Sequence, residues 1–433
     1  MASVNERFSF STLLAVIDQG LTSGVNLVIG LLFIAFGSKS DYGLYAQLFA
    51  LAMLSQALYS ALISSPWATL GPKYRPRRAR WLAAHLFRLQ LGVAALLGML
   101  AFAALTTLAP LIAPPELSLG VAAAFAALVP ALWLREFARE FFFIQLRPAP
   151  ALVVYALFAA LCLLPLAAAA WAQHIDSATV FAVLALACAA SGFWGLRRAR
   201  LSPLANHGRS GPALASTWRH SRWTLPSVVL SWGFGNAHLF VAAWVIGAAA
   251  TAELAAAKLL VMPAGVCVLG WSNIFLPYAS RWLGRGELAH LGRMLAFSLL
   301  GLWSIILVYA VTLWLGYDLL LAYLLGEKYA GLLPLAMIWA SYFILEAAVM
   351  GNNWILAAAG EYRLLFCYAC VSFAITLPVI FVATHAYGTQ GTLASLLCAQ
   401  IGQLILLRGH GVPRIKREWA RAQPAEPSHG SAT

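Results

Sequence analysis

The chain has 433 residues, of which 62% are hydrophobic and only 10% charged. Soluble domains carry about a quarter charged residues, so this composition cannot clothe a water-solvated surface and a string of soluble domains is excluded. The formal net charge of +13 raises nucleic acid as a partner, and the placement of the charges argues against it below. Cys162, Cys188, Cys267, Cys367, Cys370 and Cys398 all fall in apolar runs. They read as small packing residues, with no disulfide framework, metal site or cofactor expected, even for the C-x-x-C of Cys367 and Cys370.

A membrane span needs about 20 mainly apolar residues. In chain order, apolar runs cover 12–36, 42–65, 82–108, 117–146, 151–172 and 178–196, then 223–247, 252–279, 294–320, 331–356, 364–384 and 389–407. The first is too long for a cleaved signal peptide and reads as a retained span. The fold class expected is therefore all-α, a polytopic membrane protein of about twelve spans. Pro130, Pro165, Pro226, Pro263, Pro334 and Pro378 lie in these runs. They are expected to kink helices rather than end them, because neighbours in a membrane bundle re-satisfy the freed carbonyls.

The basic residues test this map. With the N-terminus placed inside, 22 of the 28 Lys and Arg fall in inner segments, two (Lys39 and Lys328) in outer loops and four within spans. Such asymmetry is a positive-inside signal. It places both termini in the cytoplasm and turns the net charge into a statement about topology. The longest inner segment, 197–222, is basic and divides the spans six and six. The organisation expected is an N-terminal bundle 1–200, a linker 201–221, a C-terminal bundle 222–408 and a polar tail 409–433. After Gly37 the run GLYAQLFALAMLSQALYSALISSPWATLGPKYRPRRAR leads to a basic inner loop, as ELAAAKLLVMPAGVCVLGWSNIFLPYASRWLGRG does after Gly247. Six spans per half make this a parallel repeat about an axis along the membrane normal.

No P-loop, H-E-x-x-H or G-x-S-x-G motif occurs. A polytopic polysaccharide polymerase or ligase is expected to carry a sizeable outer loop with catalytic residues. The outer segments here hold only scattered acids, among them Asp41, Asp176 and Asp318. No catalytic residue is assigned, and an enzyme is the weaker reading.

Charges within the hydrocarbon layer are costly and mark candidate function. Asp18, Thr22 and Asn26 recur on one face of the first span, as a cavity-lining stripe or a helix–helix hydrogen bond. Arg135, Glu136, Arg139 and Glu140 lie in the fourth, with Arg135 about 27 Å along it at 1.5 Å per residue. Two readings fit them: snorkelling with a local Glu136–Arg139 pair, or an inner-mouth cationic site for phosphate, whose oxygens suit guanidinium geometry. Arg88 and Lys258 sit about two turns into their spans and either snorkel or face a cavity. Glu346 lies near mid-span in the tenth without an evident local partner and is a candidate for interhelical pairing. Arg88, Arg135, Arg139 and Lys258 are thus the candidate cavity cations, and Asp18, Asn26 and Glu346 the candidate polar or ion-coupling residues. Asn236 and His238 read as packing hydrogen bonds.

The opening DQGLTSGVNLVIGLLFIAFGSKSDYGLYAQLFAL, a polar-spotted helix, a short outer loop and a G-x-Y-A step at Gly43, Tyr45 and Ala46, resembles bacterial polysaccharide and O-antigen flippases. These belong to the multidrug/oligosaccharidyl-lipid/polysaccharide (MOP) exporter superfamily. The likeness is architectural over the chain and sequence-like over roughly the first 80 residues. It implies a MATE-like fold in the bacterial inner membrane. The cargo it implies is a polyprenyl-diphosphate-linked oligosaccharide for lipopolysaccharide or exopolysaccharide, with membrane lipids and polysaccharide polymerase machinery as partners. A small-molecule exporter of the same superfamily is the alternative.

Overall fold

A computed structural model describes residues 20–70, 76–112, 117–145, 147–200, 211–285, 287–415 and 417. Asp18 lies outside them. The described residues form helices α1 (Gly20–Phe36) and α2, which runs Lys39–Tyr59, passes through a π-turn at Ser60–Ser64 and continues as Ser65–Leu70. Then come α3 (Pro76–Ile112), α4 (Leu119–Ile144), α5 (Pro148–Trp171), α6 (Ser177–Ala199), α7 (Gly211–Val245), α8 (Ala248–Gly284), α9 (Leu288–Leu315) and α10 (Leu332–Ala358). The last run, Tyr362–Leu406, breaks at Gly388 into α11 (362–387) and α12 (389–406).

Ten of the described stretches are long and apolar enough to cross a membrane. One of them is the α11–α12 run, and α1 adds a shorter apolar helix, so the described helices account for the twelve spans the sequence leads one to expect. The chain is an all-helical, multi-pass membrane protein. None of the six prolines ends a helix. Pro334 differs from the expected kink, sitting in the first turn of α10, where its missing N–H has no intrahelical partner to lose.

Local chemistry sets the helix ends. Ser38 Oγ accepts from Asp41 N (3.1 Å), Ser118 Oγ from Val121 N (3.2 Å) and Asp176 Oδ1 from Thr179 N (2.8 Å), each satisfying a free donor of the first turn. At Gly388, φ of +62° reverses the chain, a conformation that glycine adopts without a Cβ clash. The backbone at Gly391 then lies so near Ala383 that no side chain fits between them, and Thr384 Oγ1 meets Thr392 Oγ1 at 2.8 Å.

The expected alternation of sides has a direct test in the N-terminal unit. Ser177 Oγ donates to the Asp41 carbonyl (2.9 Å), and the Lys39 ammonium pairs with Glu253 at 2.5 Å. Lys328 Nζ donates to the Gly37 carbonyl at 2.9 Å. The segments read as outer loops around 38–41, 177, 253 and 328 therefore meet at one end. The segment 197–222 is less of a loop than expected. α6 carries Arg197 and Arg198 in its last turn, and α7 already begins at Gly211.

Packing groups the residues into two compact units, Met1–Leu259 with Leu320–Ala330, and Leu260–Leu319 with Gly331–Thr433. The six-plus-six division at 201–221 is a division of the sequence, whereas this one falls within α8.

Candidate functional site

The polar centre of the N-terminal unit is built on α4, which buries 67% of its most apolar window, the largest share of any described span. Its near neighbour α6 brings Gly192 against the α4 backbone. A Cβ there would lie 2.8 Å from Arg135 N and 2.9 Å from Leu134 C, so the close approach requires glycine. Gly195 repeats the approach one turn on, against Ala138 and Val154.

This packing encloses Arg135, which is only 5% exposed, and Glu136, at 2%. The Arg135 guanidinium pairs with Glu136 Oε1 at 2.5 Å and stands 4.1 Å from the ring centre of Phe158 and 5.3 Å from that of Tyr155. Aromatic faces stabilise a desolvated guanidinium. The second Glu136 oxygen accepts from Arg139 Nε (3.0 Å) and Nη2 (2.9 Å). One carboxylate thus holds two arginines. The i+3 pair read from the sequence is present, but Arg135 does not snorkel. It is turned into the bundle and stacked on α5.

Glu140, one turn beyond Glu136, has different partners. Tyr59 Oη donates to Oε2 (2.8 Å) and Ser64 Oγ to Oε1 (2.9 Å). In an α-helix, residues five apart point about 140° away from each other. The π-turn Ser60–Ser64 closes i to i+5 instead, so Tyr59 and Ser64 share a face and reach one carboxylate. Trp67 continues the same surface, stacked on Phe137 at 5.0 Å. Below the cluster, Ser221 Oγ of α7 donates to the Ala61 carbonyl inside the π-turn (2.8 Å).

The other candidates stand elsewhere. Arg88 is exposed on α3, with Nε at 3.4 Å from the Ala84 carbonyl. Lys258 is half-buried on α8 and interacts electrostatically with the fully buried His238 of α7. Asn26 is half-buried on α1. Asn236 donates to the Trp232 carbonyl (3.0 Å), the packing role expected of it. Glu346 is half-buried on α10 and lies within electrostatic reach of Tyr342, one turn earlier, which also interacts with Gln400 of α12. Of the four cations proposed from the sequence, the fold brings Arg135 and Arg139 together. The hydroxyls of Tyr59 and Ser64 were not visible as site residues, because only the π-turn gives them a common direction.

A second charged group sits at the end of this unit where the segments around 38–41 and 328 meet. Lys328 Nζ bonds the Ala35 (3.3 Å) and Gly37 (2.9 Å) carbonyls at the C-terminus of α1, where the helix dipole favours a cation. Tyr329 is buried, with the Lys39 and Lys328 ammoniums each 5.7 Å from its ring centre. Burial holds the Lys328 amine below its ordinary pKa and the Tyr329 phenol above it, with Glu253 adding to the latter.

No family model matches the sequence, and no curated protein is similar to it. Solved structures match over nearly the whole chain. An inward-facing multidrug-resistance MATE family transporter of the MOP superfamily has a TM-score of 0.77 at 16% identity, covering 92% of this chain and 96% of its own. The lipid II flippase MurJ, in an inward closed conformation, has a TM-score of 0.72 at 13% identity, covering 95% of this chain and 89% of its own. A MOP superfamily transporter from Pyrococcus furiosus, described by a binding pocket of reversed polarity, has a TM-score of 0.59 at 14% identity, with 95% and 93% covered. The chain has the fold of these proteins.

Proposed function

We propose that the chain is a transporter that moves a polyprenyl-diphosphate-linked oligosaccharide across the bacterial inner membrane by alternating access, for surface polysaccharide synthesis. The observation that carries this reading is a fold shared end to end with a MATE transporter and a lipid flippase. Arginines held at membrane depth agree with it. A diphosphate does not cross hydrocarbon unpaired, and guanidinium forks suit its oxygens. Within the proposal the four cations divide the work. Arg135, stacked and ion-paired, fixes Glu136, which in turn orients Arg139, whose side chain keeps 21% of its surface exposed. Arg139 reaches the diphosphate here, and the exposed Arg88 and half-buried Lys258 are candidates to meet it at other heights of the path, while the prenyl tail stays in lipid. Asn26 and Glu346 are the ion-coupling candidates among the described residues, and Asp18, on the same sequence stripe as Asn26, is the third.

The test is a strain deleted for the gene, which should accumulate unpolymerised lipid-linked repeat units on the cytoplasmic face. Purified protein in vesicles should translocate such a lipid, and Arg139→Gln should slow it. Normal surface glycan in the deletion strain would overturn the reading. A second reading, a small-molecule exporter, is favoured by the likeness to a multidrug transporter and by the half-buried carboxylate of Glu346 in the C-terminal unit. Resistance to cationic drugs on overexpression, with glycan unaffected by deletion, would select it.

A further inference from the structure

At the basic end of the C-terminal unit an open cavity of about 290 Å³ lies between the helices. Gly292 and Leu295 of α9, Asn352 and Ile355 of α10, and Arg408 and Pro413 after α12 are among its walls. Its polar groups are few and placed. Asn352 is buried to 97%, and one of its amide hydrogens goes to the Ala348 carbonyl (2.7 Å), which fixes the plane of the amide in the wall. Arg408 supplies the guanidinium. The chain carrying it continues α12 through a second π-turn, Leu407–Gly411, and is anchored there by the hydrogen bond between Tyr368 Oη and His410 Nδ1 (2.5 Å). Gly411 packs on Leu356 and Tyr368. The cation is thus mounted on a fixed element. The same stretches carry Arg293 and Arg414, and the residues described as lining the cavity include no carboxylate.

We propose that this cavity seats the phosphate headgroup of an anionic phospholipid of the surrounding leaflet. Arg408 pairs the phosphate, Asn352 hydrogen-bonds it, and the apolar walls take the first acyl carbons. Basic pockets between membrane helices on the cytoplasmic side bind anionic headgroups, and a guanidinium with a neutral donor matches a phosphodiester. The lining decides between occupants. Among the described residues, Arg408 and Asn352 are its only polar side chains, enough for one phosphodiester, and the other walls offer no side-chain donor or acceptor to the glycan of the proposed cargo. The site stands whichever cargo the transporter moves.

The test uses the full-length protein, stripped of lipid in detergent and incubated with phosphatidylglycerol or phosphatidylcholine, with bound lipid read by native mass spectrometry. Phosphatidylglycerol should be retained in preference, and Arg408→Gln should weaken that retention about tenfold. Arg363→Gln removes an exposed arginine that is not part of the cavity lining and should leave retention unchanged. Asn352→Leu should weaken it too; Arg408 is exposed, so its variant decides even if the Asn352 variant does not fold. Undiminished retention in Arg408→Gln would overturn the proposal, as would an equal loss in Arg363→Gln, which would mean diffuse charge attraction. Displacement of phosphatidylglycerol by equimolar undecaprenyl phosphate would overturn the assigned occupant and make this a cargo site.

Discussion

In the N-terminal unit the buried polar centre is ionic: Glu136 between two arginines, with Glu140 held by a tyrosine and a serine. The polar contacts described inside the C-terminal unit are of another kind. They join Thr384 to Thr392, Tyr368 to His410, Trp303 Nε1 to the Ile344 carbonyl and Tyr309 Oη to the Leu260 carbonyl. A hydroxyl contact can be lost for little more than the desolvation of one neutral group. A buried carboxylate that balances two guanidiniums cannot be removed so cheaply, because its loss strands both. The N-terminal unit therefore depends on one residue, Glu136, for the balance of two buried charges.

The sharpest break of that contrast is Glu136→Gln. It should cost about 3–5 kcal/mol in unfolding free energy, since removing one partner of a buried ion pair leaves uncompensated charge. Glu346→Gln in the other unit should cost about 1 kcal/mol or less, and the two are compared by thermal unfolding in one detergent. Replacing Arg135, Glu136 and Arg139 together by Met, Leu and Met should be milder than Glu136→Gln alone. A larger loss in the triple variant would show that the cluster stabilises through its hydrogen bonds rather than by mutual neutralisation.

The next test is steric. Gly192→Leu forces a side chain into the α4 backbone beside Arg135 and should cost at least about 1–3 kcal/mol. Gly301→Ala on α9, with no atom within 4 Å of the new methyl group, should stabilise by up to about 1 kcal/mol through helix propensity. The Glu140 hydroxyls come third. Tyr59→Phe should cost about 1–3 kcal/mol, and Thr384→Val in the C-terminal unit less. The smallest effect is expected at the C-terminus of α1, where Lys328→Ala removes a cation and should cost about 0.3–1 kcal/mol, falling as salt is added.

Hydropathy and the distribution of basic residues made the spans and their alternation legible, because bilayer thickness and charge exclusion act on composition alone. The Glu136–Arg139 pair was legible from i+3 spacing. The direction of Arg135 was not. Distance along a helix gives depth but not which neighbour the side chain meets, and here Phe158 and Tyr155 on α5 decide it. Tyr59 and Ser64 were illegible for a stronger reason. Their shared face exists only if the helix period changes at Ser60, and the periodicity of the sequence carries no mark of that. Glu346 was legible as a polar residue within its span, but its electrostatic neighbour Tyr342, four residues earlier, is a neutral hydroxyl that a search for a balancing cation looks past.

The N-terminal unit is discontinuous in the chain, taking in Leu320–Ala330 after 60 residues that belong to the other unit. During synthesis the carbonyls at Ala35 and Gly37 therefore wait for a lysine 291 residues downstream of Gly37. At roughly 5–20 residues per second, the delay is on the order of 15–60 s. The unit translated first is completed only after α9 has been made. A ribosome stalled before residue 320 would hold an N-terminal unit still lacking the segment that caps α1, and the last piece would arrive from a part of the chain whose neighbours on both sides belong to the second unit.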